Sequence, residues 1–303
     1  MRAKRCSAAN RDTPEALVLR RLQIVSSRLA SSIFSGEYRS AFRGRGIEFD
    51  EVREYEAGDD ISSIDWNVTA RQGHPFVKRF IEERELTLIL LLDCSASMDF
   101  GTVRCTKRET ANEACALLAF AALRSRDKMA LLTFGNGGIC YLPPKKGKNR
   151  AMQLIKSTVT TVAAPGRASG LAEALDHLRR VATGRSLVFI FSDFIDSLPL
   201  RPLAAVAAKH DVVTVIVNDP IERKLPAAGL LRLADTESGM EQLVDSDNPA
   251  VRNSYLVHAQ QRHDALREAI ASSGAALFEL DTGTPPFYSL ARFFLNRQLT
   301  GSR

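Results

Sequence analysis

A chain of 303 residues, 45% hydrophobic and 25% charged, has the composition of an ordinary globular protein, long enough for one large or two smaller domains with a sizeable core. This excludes a disordered or fibrous chain, and no window holds the run of about 18 apolar residues that a membrane helix needs. The net charge of +6 is unevenly spread: residues 1–46 carry ten Lys/Arg and three Asp/Glu, whereas 48–65 carry eight Asp/Glu opposed only by Arg53.

The basic N-terminus, Met-Arg-Ala-Lys-Arg-Cys, is not followed by an apolar stretch, so no secretory signal is expected. Cys6, Cys94, Cys105, Cys115 and Cys140 are odd in number and form no CxxC, which predicts reduced thiols and a cytoplasmic location. The pI near 9.2 permits nucleic-acid binding, but no RNP-type aromatic motif or zinc finger accompanies it, and no nucleic-acid partner is expected. The five histidines show no ligand spacing, which argues against zinc. Neither a GxSxG elbow nor a GxxxxGK[ST] loop occurs, so neither a hydrolase of that type nor an ATPase is supported.

In chain order, residues 14–34 place Leu17, Leu22, Val25, Leu29 and Ile33 near helical spacing with arginines between them, and predict an amphipathic helix. Residues 36–80 predict irregular structure and short strands, with 76–80 a strand and Trp66, the only tryptophan, in the core of that region. The acidic segment 53–60 reads as a hydrogen-bonded scaffold. From residue 86 the rhythm becomes strand and helix. The run 86–92 is continuously apolar, as in a central parallel strand. A helix is expected over 106–124, a strand over 128–134, and a Gly-rich turn into an antiparallel edge strand at 139–142. Helices over 150–161 and 170–182 precede a second apolar strand at 186–192, a helix at 200–209 and a strand at 212–217. A small hairpin within 219–249, a long helix at 249–273, a strand at 275–280 and a closing helix at 287–296 complete the pattern. Such alternation predicts an α/β fold, a doubly wound and mostly parallel sheet of Rossmann type, with a small N-terminal helix-plus-β region beside it. The expected domains are 1–84 and 85–303.

Both apolar strands end in a carboxylate, Asp93 and Asp193. In open α/β sheets, ligands collect at the carboxyl ends of the strands. After Asp93, hydroxyls stand at alternate positions, Ser95 and Ser97, so that one tight loop can turn three oxygens toward one point while Cys94 and Ala96 point away. Ser169, just before a predicted helix, adds a fourth hard donor class residue. Oxygen ligands of this kind suit Mg²⁺ or Mn²⁺. Asp99 and Asp196 read as solvated, and the loop Lys145-Lys-Gly-Lys-Asn-Arg150 as a solvated connection.

The Asp-x-Ser-x-Ser pattern after an apolar strand resembles the metal-ion-dependent adhesion site of von Willebrand factor A domains. That resemblance implies a site of Asp93, Ser95, Ser97, Ser169 in the place of the family's Thr, and Asp193. A second resemblance covers nearly the whole chain. Arg43-Gly-Arg-Gly-Ile-Glu-Phe49, Arg53-Glu-Tyr-Glu-Ala-Gly-Asp-Asp60, Ile64-Asp-Trp66 and Asp219-Pro-Ile-Glu-Arg223 are similar to the bacterial family called domain of unknown function 58. It implies a von Willebrand factor A-like protein that works with a MoxR-type AAA+ ATPase to assemble or activate other proteins. The implied mechanism is adhesion, in which the bound ion accepts an Asp or Glu carboxylate of a protein ligand, and not catalysis. Two rivals are a Mg²⁺-dependent phosphohydrolase using Asp93 as nucleophile, and a metal-free scaffold that binds through its charged N-terminal region.

Overall fold

The computed structural model describes residues 38, 41, 47–56, 59–82, 86–135, 138–161, 170–196, 198–234 and 240–301. The helix expected over 14–34 lies outside them. The chain divides into two compact units, Phe42–Leu86 on the one hand, and Met1–Ala41 with Thr87–Arg303 on the other. The division differs from the expected domains 1–84 and 85–303 in grouping Met1–Ala41 with the larger unit. Tyr38 lies in the larger unit, fully buried and edge-on to Phe294 with ring centroids 5.9 Å apart.

In the smaller unit, strands β1 (Ile47–Glu54) and β2 (Phe76–Glu82) pair antiparallel, with an irregularity between Phe49 and Glu51. Between them runs helix α1 (Trp66–Gln72). Asp65 caps it, its carboxylate accepting from Asn67 N and Val68 N at 3.0 and 3.3 Å, and Gly73 closes it in the left-handed region at φ 81°. Arg53 holds Asp59 at 2.6 Å, so the acidic segment is cross-linked within this unit. Trp66 corrects an expectation: it is 67% exposed, not core. Asp65 is the buried residue, its N–H donating to Phe76 O. The next residue, at the first helical position, therefore projects outward.

The larger unit is built on a six-stranded sheet in the order β10-β7-β6-β3-β4-β5. Strands β3 (Thr87–Asp93), β4 (Lys128–Phe134), β6 (Leu187–Ser192), β7 (Asp211–Asn218) and β10 (Ala276–Asp281) are parallel. Strand β5 (Cys140–Lys145) is the antiparallel edge beside β4. The order reverses beside β3, which makes the sheet doubly wound. Its central strands are buried on both faces, which is why they read as unbroken apolar runs.

Helices α2 (Lys107–Arg124), α3 (Lys148–Thr160) and α8 (Pro286–Gly301) pack together on one side. Helices α4 (Leu171–Val181), α5 (Leu200–Ala207) and α7 (Pro249–Ser272) cover the other, where Leu175, Leu178, Leu203, Val206 and Ile270 meet Ile89, Val188 and Ile190 of the sheet. The short helix α6 (Pro220–Arg223) follows β7, and β8 (Leu230–Ala234) with β9 (Glu241–Asp245) forms the expected hairpin. Among the described residues no helix is long and apolar enough to cross a membrane.

Candidate metal centre

Because β3, β4 and β6 run parallel, the loops that follow them emerge on one edge of the sheet. Asp93 is the last residue of β3 and is fully buried. Its Oδ1 accepts from Ser95 N at 2.9 Å, and its Oδ2 accepts from Ser192 Oγ, at the end of β6, at 2.6 Å. The first bond curls the chain into the 3₁₀ turn Ala96–Asp99. The hydroxyls of Ser95 and Ser97, both buried, share a hydrogen bond at 3.1 Å. Cys94 turns the other way, its thiol toward Leu92 O. Burial pushes that thiol up to about 12, so it is no nucleophile at neutral pH.

Asp193 follows β6 directly and is 9% exposed. Its charge acts on Asp93, whose carboxyl is raised to about 6, chiefly by burial. The bonds from Ser192 and Ser95 pull in the opposite direction but do not win. The structure thus brings Asp93, Ser95, Ser97 and Asp193 to one place; Ser169 lies outside the described residues.

Two further residues meet there that no spacing pattern announced. Lys107, at the first position of α2, is fully buried, and its Nζ donates to Asp193 Oδ2 and Glu222 Oε1, each at 2.6 Å. Thr106, the N-cap, fixes this position through a capping box with Glu109. Arg108, also buried, donates from Nη2 to Cys94 O and Ser95 O at 3.1 Å each, and from Nη1 to Thr161 O at 2.8 Å. Its Nε faces Asp99 at 2.6 Å, so Asp99, expected to be solvated, is ion-paired although half exposed. One guanidinium therefore pins the whole Ser-bearing loop.

Beyond Glu222 the network continues. Glu222 Oε2 accepts from Asp219 N at 3.0 Å in the capping box of α6. Asp219, fully buried, accepts from Thr102 N at 2.7 Å, from the Thr102 hydroxyl, from Ile221 N at 3.1 Å and from Thr282 Oγ1 at 2.7 Å. Burial works against its ionisation, but the bonds from Thr102, Thr282 and Ile221 outweigh it and hold the carboxyl below its ordinary value.

These residues fit a hard divalent cation on three observations. Adjacent oxygens around a Mg²⁺ bound at about 2.1 Å stand about 3 Å apart, and the Ser95 and Ser97 hydroxyls are 3.1 Å apart. Asp93, Asp99, Asp193 and Glu222 set four carboxylates against the two cations Lys107 and Arg108, a surplus of negative charge. At Gly135, φ +83°, an added Cβ would lie 2.6 Å from Asp93 Oδ1 and 2.7 Å from Ser95 N, so the end of β4 leaves this carboxylate room that any other residue would take. Among the described residues no group of three or more His, Cys, Asp and Glu is gathered for a metal, so a cation here would depend on hydroxyls.

One other expectation needs correction. Arg150 is not part of a solvated loop; it is buried and donates from Nε to Met129 O at 3.2 Å. Of the thiols, Cys94 and Cys115 are buried and Cys140 is exposed.

The family described as "Protein of unknown function DUF58" matches residues 51–265. The "Uncharacterized protein Rv1480" of Mycobacterium tuberculosis is 33% identical over 290 residues, covering 95% of this chain and 91% of that protein. The "Uncharacterized protein Mb1516" of Mycobacterium bovis is similar to the same extent. Among solved structures, the chain is similar to an aerotolerance-related membrane protein from Bacteroides fragilis, at 14% identity and a TM-score of 0.46 over 70% of this chain and 99% of that one. It is similar also to the VWA domain of SpRpn10, at 12% identity and a TM-score of 0.38 over 70% and 94% of the two chains. With the family matched over more than half of its length, the chain belongs to the DUF58 family.

Proposed function

We propose that this protein is a non-enzymatic, divalent-metal-dependent binding module. Asp93, Ser95 and Ser97, with Ser169, hold Mg²⁺ or Mn²⁺, and Asp193 balances charge beside them. The single observation that carries this reading is the pair of buried hydroxyls 3.1 Å apart beside a surplus of carboxylate charge. When bound, the ion supplies an open position for an Asp or Glu carboxylate of a protein ligand. The chain's own residues keep that position fixed: Arg108 pins the Ser95 loop, Ser192 orients Asp93, and Gly135 leaves the space free. The resemblance to MoxR-associated proteins supports a MoxR-type AAA+ ATPase as the second partner, so that the chain would join ATPase and client without catalysing a reaction.

Calorimetric titration of Mg²⁺ and Mn²⁺ into the wild type and into Asp93→Ala tests the reading, with folding of both checked by circular dichroism. Saturable binding in the wild type that vanishes in the variant is expected. Absence of binding to the folded wild type would remove the metal from the proposal and leave a metal-free scaffold. Asp93-dependent turnover of p-nitrophenyl phosphate with Mg²⁺ would replace the adhesion reading by a phosphohydrolase.

A further inference from the structure

The carboxylates at the candidate metal centre are not equivalent. Asp93 accepts only from neutral donors, Ser95 N at 2.9 Å and Ser192 Oγ at 2.6 Å, and among the described residues no cation pairs with it. Asp99 is taken by Arg108. Asp193 and Glu222 both meet Lys107, whose Nζ lies 2.6 Å from Asp193 Oδ2 and from Glu222 Oε1. Their other oxygens are engaged as well: Asp193 Oδ1 accepts from Ile195 N at 3.3 Å, and Glu222 Oε2 from Asp219 N at 3.0 Å. Bonds to an ionised donor are roughly twice as strong as neutral ones, so an incoming ion draws on Asp93 far more easily than on Asp193 or Glu222.

The ammonium is fixed in place. Lys107 is fully buried, its N–H donates to Phe100 O at 2.8 Å, and its Nζ lies 5.9 Å from the centre of the Phe100 ring. Stem and charge are thus both held where α2 begins. Lys107 offsets one of the two negative charges in contact with it. The other still attracts a divalent cation to this edge of the sheet.

A divalent ion that takes one carboxylate keeps a net positive charge, whereas one that takes three is negative and repels any further carboxylate. We propose that Lys107 decides between these two states. It keeps Asp193 and Glu222 off the ion, so that Asp93 is the only carboxylate this chain supplies and the open position selects an external carboxylate. The inference rests on the proposed metal-dependent reading and adds to it the residue that gives the site its preference for an acidic ligand. Lys107 is a positioning residue: it acts through Asp193 and Glu222 and touches neither the ion nor the ligand.

Mn²⁺ and acetate are the probes. Calorimetry gives the Mn²⁺ affinity, and water-proton relaxation of the Mn²⁺-loaded protein shows acetate displacing water from the ion. The proteins compared are the wild type, Lys107→Met and the double variant Lys107→Met/Glu222→Gln, with folding checked by circular dichroism. The double variant removes the ammonium together with one carboxylate that it holds, so its net charge is that of the wild type. Its new amide can accept from Asp219 N and donate toward Asp193, and it is expected to fold even where Lys107→Met does not. Mn²⁺ affinity is expected to rise about tenfold in Lys107→Met while acetate affinity falls about tenfold, with the same crossed change, smaller, in the double variant. A purely structural role would lower both affinities. Mn²⁺ affinity that is unchanged or lower in the folded variants, or acetate bound as tightly as by the wild type, would overturn the inference and leave the metal reading intact. A wild type that binds Mn²⁺ but no acetate at up to about 100 mM would overturn the preference for an acidic ligand and leave only the ion. No Mn²⁺ binding by the folded wild type would remove the metal reading and the inference with it.

Discussion

Lys107 Nζ lies 2.6 Å from Asp193 Oδ2, with no part of the lysine exposed. A second carboxylate oxygen, Glu222 Oε1, stands at the same distance. An ammonium this deeply buried is tolerated only because both partners are in contact, and the partners are tolerated for the same reason. Replacing it by Met keeps the volume and leaves two unpaired carboxylates. Lys107→Met is therefore expected to lose about 3–5 kcal/mol of stability in urea unfolding without added metal. Added Mg²⁺ is expected to recover part of the loss, because the extra negative charge strengthens cation binding. Unchanged stability would mean that the ion pair contributes nothing.

Asp93 gives a pH signature. Its carboxyl is raised to about 6 in the folded chain by burial, against about 3.9 in an unfolded one. The folded state therefore holds the proton more tightly. The stabilisation from this group is complete below about pH 4 and is lost as pH rises through about 6, at a cost of about 3 kcal/mol in the metal-free protein. Asp93→Asn is expected to be more stable than the wild type at pH 7 by up to that amount. The two should converge near pH 4, as measured by thermal or urea unfolding in EDTA. Mg²⁺ affinity of the wild type is expected to fall as pH drops below about 6, since the proton competes for the same oxygens. A wild type whose metal-free stability is flat between pH 4 and 7 relative to Asp93→Asn would contradict this account.

Arg108 is the third prediction. Arg108→Ala removes the donors to Cys94 O, Ser95 O and Thr161 O and leaves Asp99 without its cation. Stability is expected to drop by about 2–4 kcal/mol. Metal affinity is expected to fall as well, although the substitution touches none of the proposed ligands. Hydrogen exchange at Ser95 and Ser97 would show the loosened loop directly; exchange there as slow as in the wild type would count against the pinning role.

Gly135→Ala is a purely steric probe. The new Cβ would stand 2.6 Å from Asp93 Oδ1 on a backbone at φ +83°, so both the contact and the conformation are unfavourable. A loss of about 1–3 kcal/mol in unfolding free energy is expected, together with weaker metal binding. Gly147, also at positive φ, has nothing within 4 Å of an added Cβ. Gly147→Ala therefore serves as the control that carries the backbone strain without the clash.

Much of the sheet was legible because its central strands are buried on both faces. Residues 88–92 and 187–191 carry no polar residue to confuse a parallel strand with anything else. Asp93, Ser95 and Ser97 were legible because a polar cluster directly after such a run has no packing reason to be there. Lys107 and Arg108 were not, since two adjacent basic residues at a helix start look like a solvated first turn. Only the Thr106–Glu109 capping box gave a signal, and it speaks of where the helix begins, not of which way its first residues face. Glu222 and Asp219 stand out in the sequence only through the family resemblance; their joint role needs the crossing from β7 to Thr102, which sequence spacing does not encode. Trp66 was misplaced because aromatic size argued for burial, while the neighbouring Asp65 took the inward position as a cap.

The antiparallel edge strand β5 carries Pro143, Pro144 and Lys145 in sequence. Two prolines offer no N–H to a neighbouring chain, and a lysine beside them charges the rim. Along these residues the sheet is closed to growth: a seventh strand has no ladder to join, whether it comes from a client, a misfolded copy or a fibril. This border thereby protects the folded chain itself from edge-to-edge aggregation.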